Sequence, residues 1–325
     1  MWAGMNLAHL HRRGLGYGSS ACGAQLERLV LAGVNAVALT PFAYQGDLEG
    51  HELKWGESLD DSLTDADLVA CIKQAHALGI QVCLKPHIWS RSFWSGGKSR
   101  QDLAPKNVAA WHAAYGAYIL HLAKLAEENQ VALLCLGLEY LQLAKDPQGH
   151  WKTLAAKVRQ VYSGKLTYAA NWWREYQEFS AWDSMDLIGI NAYFPLSEEE
   201  DPSEEQLLAG WQPHIQEILA VTQGRPFLLT ELGLRACKGA AAKPWDHGLK
   251  GARDDALQAR YYQAVLRAFE GQPGYQGLLF WKWFTDDERG EPDPYSPTGR
   301  EAEQVLARHW GRGAEVGVLE KEGDG

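Results

Sequence analysis

Two short apolar runs in this chain each end in a glutamate. They are Ala132-Leu133-Leu134-Cys135-Leu136-Gly137-Leu138-Glu139 and Pro226-Phe227-Leu228-Leu229-Thr230-Glu231. An unbroken apolar run reads as a strand buried on both faces, as in a parallel sheet. A carboxylate at the end of such a strand lies where α/β barrels collect their reactive groups. Two carboxyl groups at one mouth can work on a glycosidic bond. One, protonated, donates to the leaving oxygen; the other, ionised, attacks or activates water. One strand-end glutamate alone is as readily a solvated or salt-bridged residue. Two of them, beside aromatics, point to chemistry.

The elements that must position this pair can be read along the chain. Candidate strands are Trp2–Asn6, Asn35–Thr40, Gln81–Lys85, Ala132–Glu139, Leu166–Ala170, Leu187–Asn191, Phe227–Glu231 and Gly277–Trp281. Between them lie segments with helical spacing: Ala24–Ala32, Asp65–Leu78, Asn107–Asn129, Trp151–Tyr162, Ser203–Thr222, Arg253–Phe269 and Ala302–Trp310. Thr64 is placed to cap the second of these, and Gly79 to end it. Eight strands alternating with helices predict a single-domain α/β fold, the (β/α)8 or TIM barrel. A doubly wound sheet would want a Gly-rich phosphate turn after its first strand, and Gly14-Leu-Gly-Tyr-Gly18 has the wrong spacing for one. The catalytic domain is expected over residues 1–311. The Gly-rich, charged segment 312–325 is expected to be a flexible tail.

In such a barrel every strand end faces one mouth. The ends here carry Thr40-Pro41-Phe42, Lys85-Pro86-His87-Ile88-Trp89, Glu139, Asn171-Trp172-Trp173, Asn191-Ala192-Tyr193, Glu231 and Trp281-Lys282-Trp283. This acidic, aromatic and amide-bearing set suits an uncharged ligand rich in hydroxyls. Fourteen tryptophans is a high count. Trp89, Trp94, Trp172, Trp173, Trp281 and Trp283 follow candidate strands, and flat indole faces pack on sugar C–H faces while the N–H donates. His87 reads as a substrate contact. Tyr193 is either core or a group that holds the ionised glutamate. Lys85 and Lys282 either support loops or neutralise a carboxylate.

Bulk properties narrow the field. A formal net charge of −10 argues against a phosphate-binding surface and so against nucleic acid as a partner. No apolar stretch reaches the ~18 residues of a membrane span. The start of the chain has no basic segment followed by an apolar one, so no signal peptide is expected; cytoplasmic residence and secretion with the signal removed both stay open. Five widely spaced cysteines read as buried thiols. Neither CxxC nor HExxH occurs, and no metal or other cofactor is expected. The protein is expected to act as a monomer.

At these residues the chain resembles glycoside hydrolase family 113, within the large clan of (β/α)8 retaining glycosidases. The matching stretches are Gly33-Val-Asn-Ala-Val-Ala-Leu-Thr40, Leu84-Lys-Pro-His-Ile88, Leu166-Thr-Tyr-Ala-Ala-Asn-Trp172, Asp186-Leu-Ile-Gly-Ile-Asn-Ala-Tyr193 and Pro226-Phe-Leu-Leu-Thr-Glu-Leu-Gly233. Pro244-Trp-Asp246, Gly277-Leu-Leu-Phe-Trp281 and Tyr295-Ser-Pro297 come after them. The resemblance implies retaining hydrolysis of β-1,4-mannosidic bonds in mannan, glucomannan or manno-oligosaccharides. It implies Glu139 as acid/base, Glu231 as nucleophile and Tyr193 as the tyrosine that orients the nucleophile. His87, Asn171 and Trp281 would line the subsite of the attacked sugar. With the strand-end reading, the expected substrate-binding set is His87, Trp89, Trp94, Asn171, Trp172, Asn191, Tyr193, Trp281 and Trp283. Most of the clan carries Asn directly before the acid/base; here, as is usual in the family, that position is not Asn but Leu138. Contact with the sugar 2-hydroxyl then falls to another group, with Asn171 a candidate.

Three other readings compete. One is a glycosidase of the same clan for another β-linked glycan. Another is a non-catalytic sugar-binding barrel, which would not require a carboxyl pair. The last is a barrel enzyme for phosphorylated metabolites. It would want a Gly-rich phosphate site after the last two strands, where this chain has Glu231-Leu-Gly-Leu234 and Trp281-Lys-Trp-Phe284.

Overall fold

All eight apolar runs become strands of one closed parallel barrel. The structure, a computed structural model, describes residues 1–9, 14–56, 63–93, 97–286 and 293–311. Trp94 and the expected tail 312–325 lie outside the described residues. The strands are β1 (Trp2–Ala8), β2 (Ala36–Leu39), β3 (Phe42–Gln45), β4 (Leu53–Lys54), β5 (Gln81–Leu84), β6 (His87–Ser90), β7 (Leu133–Leu138), β8 (Lys165–Asn171), β9 (Ile188–Asn191), β10 (Phe227–Leu232) and β11 (Tyr275–Phe284). The helices are α1 (Ser20–Leu31), α2 (Asp65–Ala77), α3 (Val108–Glu128), α4 (His150–Val158), α5 (Glu175–Glu178), α6 (Glu204–Thr222), α7 (Asp255–Phe269) and α8 (Glu301–Trp310). The barrel closes in the order β1-β11-β10-β9-β8-β7-β5-β2, with β2 back on β1.

Side-chain alternation along the strands divides the core into two clusters. Val37, Leu39, Val82, Leu84, Leu134, Leu229 and Phe280 join the large cluster that also takes in the helices. Residues of opposite parity, among them Ala36, Ala38, Cys83, Leu133, Leu228 and Leu279, form a second, smaller cluster. Such an alternation is what a barrel with a packed interior and a helical jacket requires. The helix signals hold as well. Thr64 and Asp67 form a capping box at the start of α2, and Ser203 and Gln206 form one at the start of α6. All five cysteines are buried and free.

Three features were not anticipated. A small sheet, β4-β3-β6, continues the barrel strands β2 and β5 beyond the mouth. It arises because the chain resumes an extended path straight after Pro41 and after Pro86. The short helix α5 follows β8 directly. Finally, register shifts occur at the mouth end of several strands: between Asn6 and Leu7, between Cys135 and Leu138, and between Leu229 and Glu231. Irregularities of this kind re-aim side chains.

The shift beside β11 corrects one expectation. Asn6 pairs with Trp281 and Leu7 with Trp283, so one extra residue lies between the two tryptophans. An extra residue inverts the facing of the residues after it. Trp283 therefore turns away from the mouth. It is fully buried, donates from Nε1 to Gln25 Oε1 at 2.8 Å and lies under the Arg28 guanidinium of α1. It packs as a core residue, away from the mouth where it was expected.

Barrel closure also leans on Gly33, which follows α1 in a left-handed conformation (φ +79°). A Cβ there would meet backbone atoms of Trp310 and Gly311 at 2.3–2.5 Å. Gly33→Ala is expected to destabilise the fold by about 1–3 kcal/mol, combining backbone strain with a backbone clash. Thermal unfolding measures this; an unchanged Tm would mean that the α1–β2 turn does not abut the end of α8.

Candidate active site

Glu231 stands near the end of β10, 3% exposed. A carboxylate this dry needs partners on both oxygens. Lys85, just past β5 and itself 0% exposed, donates from Nζ to Glu231 Oε1 at 2.6 Å and to the Thr230 carbonyl at 3.1 Å. The Tyr193 hydroxyl, just past β9, donates to Glu231 Oε2 at 3.1 Å. Burial and the nearby carboxylate push that phenol well above its ordinary value, so it remains a donor. Both lysines the sequence left open pair with a carboxylate, Lys85 with Glu231. Lys282 pairs with Asp293 at 3.2 Å.

Glu139 is the first residue beyond β7 and has a left-handed backbone, φ +56°. Its Oε1 accepts from Asn191 Nδ2 at 2.9 Å, and its Oε2 from Arg100 Nη2 at 3.2 Å. The Thr230 hydroxyl donates to Asn191 Oδ1 at 2.9 Å, which sets the amide so that its nitrogen faces Glu139. Thus β9 serves both glutamates, Glu139 through Asn191 and Glu231 through Tyr193. Arg100 belongs to a single helical turn, Arg100–Asp102, in the loop between β6 and α3. Nothing in the Lys98-Ser99-Arg100 sequence marks it, because it reaches the site across a loop and not from a strand end.

His87 opens β6, 1% exposed, with Nε2 at 3.9 Å from Glu231 Oε1. Burial, then the charges of Arg100 and Lys85, hold its imidazole well below the ordinary value, so it is neutral. Its ring stacks 9° from parallel with Trp281 at 6.1 Å and meets Phe42 edge-on at 5.3 Å. The Trp281–Lys282 peptide bond is cis. Three buried nitrogens in this neighbourhood have no hydrogen-bond partner: His87 Nε2, Trp281 Nε1 and Arg100 Nε. Buried polar groups are rarely left so.

The other expected contacts come from the end of β8 and from the small sheet. Asn171 ends β8, and its Oδ1 accepts from the Trp173 N–H at 2.9 Å, leaving its Nδ2 as a donor. Trp172 packs on Phe194 at 5.7 Å and on Trp245 at 4.9 Å. Trp245 is 39% exposed and was not among the expected contacts, since it comes from a loop after β10. Trp89 is 37% exposed and edge-on to Tyr44 at 6.0 Å, on the small sheet beside the mouth.

Behind Glu139 is a buried carboxyl that the sequence did not flag. Glu175 on α5 is 0% exposed. Its Oε1 accepts from the Tyr168 hydroxyl at 2.5 Å and its Oε2 from the Asn171 N–H at 2.7 Å. Burial outweighs these two donors and pushes its carboxyl up to about 8. Elsewhere, His112, Asp146 and His150 bring three possible metal ligands within 4.8 Å. The two imidazoles, however, are stacked 3° from parallel, 4.4 Å apart. A ring nitrogen binds a metal in the plane of its own ring, and parallel planes share no point, so these rings as placed cannot hold one ion.

The sequence matches the family described as Glycoside Hydrolase Family 113 over residues 5–293. No curated protein matches it. Among solved structures it is similar to a family 113 β-1,4-mannanase complex, at 23% identity and TM-score 0.83, covering 95% of this chain and 98% of that one. It is similar also to the β-mannanase AaManA from Alicyclobacillus acidocaldarius in complex with ManMIm, at 25% identity and TM-score 0.82, covering 95% and 96%. A β-glucuronidase from Ruminococcus gnavus shares the fold at 14% identity and TM-score 0.64, over 95% of this chain and 50% of that one. With the match running through nearly every barrel strand, this chain belongs to glycoside hydrolase family 113.

Proposed function

We propose that this enzyme hydrolyses β-1,4-mannosidic linkages with retention, using Glu231 as nucleophile and Glu139 as acid/base. The observation that carries the reading is the pair itself: two strand-end glutamates, each held by side chains of β9 or just past it, among buried donors without partners. The mannanases to which the chain is similar supply the choice of sugar.

The roles follow from the surroundings. A nucleophile must be ionised and aimed, and Glu231 is fixed through both oxygens by Lys85 and Tyr193. Its side chain is 4% exposed, against 15% for Glu139. An acid/base must exchange protons with substrate and water, which suits the more open group. In the first step Glu231 attacks the anomeric carbon while Glu139 gives its proton to the leaving oxygen. In the second, Glu139 takes a proton from water, which displaces the glycosyl group from Glu231. Lys85 then stabilises the carboxylate as it leaves. His87, being neutral, can donate to or accept from a sugar hydroxyl without adding charge.

Retention calls for carboxyl groups about 5–5.5 Å apart. The decisive test of the roles is azide rescue. Glu139→Ala is expected to yield a β-glycosyl azide and to lose most activity on substrates with poor leaving groups. Glu231→Ala is expected to yield the α-glycosyl azide. Opposite anomers would exchange the roles, and near-wild-type activity in both variants would mean that the pair is not catalytic.

Substrate choice is tested with β-linked oligosaccharides of matched length. The manno series is expected to have the higher kcat/KM. Asn171→Ala is expected to lower kcat/KM mainly through kcat, if its contact with the 2-hydroxyl strengthens in the transition state. Equal or better turnover of the gluco series would make this a glycosidase for another β-linked glycan. Binding without turnover of either series would favour a non-catalytic barrel.

A further inference from the structure

The backbone at Glu139 has to be held in place, and the groups that hold it lead to Glu175. Glu139 adopts the left-handed conformation, which a residue with a side chain keeps only when its surroundings enforce it. The peptide N–H groups on either side of its Cα are both tied to β8. The Glu139 N–H donates to the Ala169 carbonyl at 3.0 Å, as a continuing strand would. The next N–H, that of Tyr140, has left the ladder and donates instead to the Tyr168 hydroxyl at 3.0 Å.

That hydroxyl is itself fixed. It donates to Glu175 Oε1 at 2.5 Å, so its oxygen turns a lone pair to Tyr140. The Tyr168 ring is clamped by Phe179, stacked at 4.0 Å, and by Trp151, edge-on at 5.2 Å. It lies so close to β7 that a Cβ on Gly137 would meet it at 2.5 Å, which accounts for a glycine in that apolar run. The other oxygen of Glu175 accepts from the Asn171 N–H at 2.7 Å. One buried carboxyl thus joins the residue after Glu139 to the strand end that carries Asn171.

We propose that Glu175 is a positioning residue for Glu139: through Tyr168 it fixes the turn that aims the Glu139 carboxyl into the cleft. The proposal rests on Glu139 being the acid/base. Without Glu175 the Tyr168 hydroxyl can turn. Without that hydroxyl the buried Tyr140 N–H has no acceptor, and the left-handed turn loses its second tie. Glu231, held from β5 and β9, is not part of this chain of bonds.

The test separates protonation of the leaving group from everything else. Tyr168→Phe and Glu175→Ala are compared with wild type on a β-1,4-manno-oligosaccharide and on a dinitrophenyl β-mannoside, whose leaving group needs no proton. Circular dichroism and Tm establish folding. If Glu175→Ala does not fold, Tyr168→Phe, which removes a single hydroxyl, serves alone. For Tyr168→Phe the expected result is a fall in kcat/KM of roughly 10–100-fold on the oligosaccharide, the scale of a misplaced catalytic group, with little change on the dinitrophenyl substrate. Glu175→Ala, which also frees the Asn171 N–H, is expected to fall on both substrates but further on the oligosaccharide. An equal fall on both substrates, or none on either, in folded variants would overturn the proposal. Glu139→Ala is run alongside. If it shows the leaving-group split and the other variants do not, only the positioning role fails. If it too shows no split, the acid/base reading fails and the positioning role with it.

Discussion

Glu231 and Lys85 form an ion pair at the barrel mouth, largely shielded from water, and the site is arranged around it. Neither charge could be buried there alone. Desolvating one ion carries a penalty of several kcal/mol, and removing one member of a buried pair typically costs about 3–5 kcal/mol. The pair therefore needs every remaining donor placed, and the barrel strands place them. Lys85 also bonds the Thr230 carbonyl, and Tyr193 takes the second carboxylate oxygen. Asn6 on β1 donates to the carbonyls of Thr230 and Leu279, joining β10 and β11 at the same level. A site built on strands in this way is more rigid than one built on loops. The same cation helps to explain His87. Beside Lys85 and Arg100 and cut off from solvent, it stays neutral, so Glu231 has one cation in contact and not two.

Glu139 is governed by a different constraint. It sits where β7 stops being a strand, and its direction comes from a backbone turn and from β8 and α5 behind it. Arg100 and Asn191 then take its oxygens from the front. The two glutamates are consequently held by nearly independent sets of groups, which meet at Asn191 and Thr230. In a double displacement that independence is useful. In the proposed reaction Glu231 would gain and lose a covalent bond while keeping its place, and Glu139 would change protonation twice without moving the groups that hold Glu231.

The barrel was legible in the sequence because its strands are buried on both faces and so read as plain apolar runs. Glutamates and aromatics at the ends of those runs were legible for the same reason. The features that escaped notice depended on contacts between distant segments. Arg100 comes from a loop with no periodic pattern. Glu175 reads as a surface residue of a charged stretch, Arg174-Glu175, and is buried only because Tyr168 and the Asn171 N–H are there to receive it. Trp281 and Trp283 look equivalent, two residues apart at the end of one strand. A single extra residue against β1 places one beside the ion pair and the other under α1. Fourteen tryptophans suggested a stacking cleft, yet Trp111, Trp151 and Trp211 are fully buried in the jacket. Abundance alone did not distinguish core from cleft.

The residue before Glu139 bears on specificity. Leu138 is fully buried in the large apolar cluster, so this position serves packing. In the proposed reaction an amide near the attacked sugar would come from a neighbouring strand. Asn191 and Asn171 stand opposite each other in the β8–β9 register. Asn191 already accepts from Thr230 and donates to Glu139, and turning it toward a sugar would break both bonds. Asn171 has committed only its oxygen, to the Trp173 N–H. Its nitrogen is the one amide donor on these two strand ends that can bind a hydroxyl without releasing a glutamate. In the proposed reaction this makes Asn171 the reader of the sugar and Asn191 the holder of the acid. The backbone N–H of Asn171 is itself fixed by Glu175. One buried carboxyl thus supports both the turn at Glu139 and the strand end that would recognise the substrate.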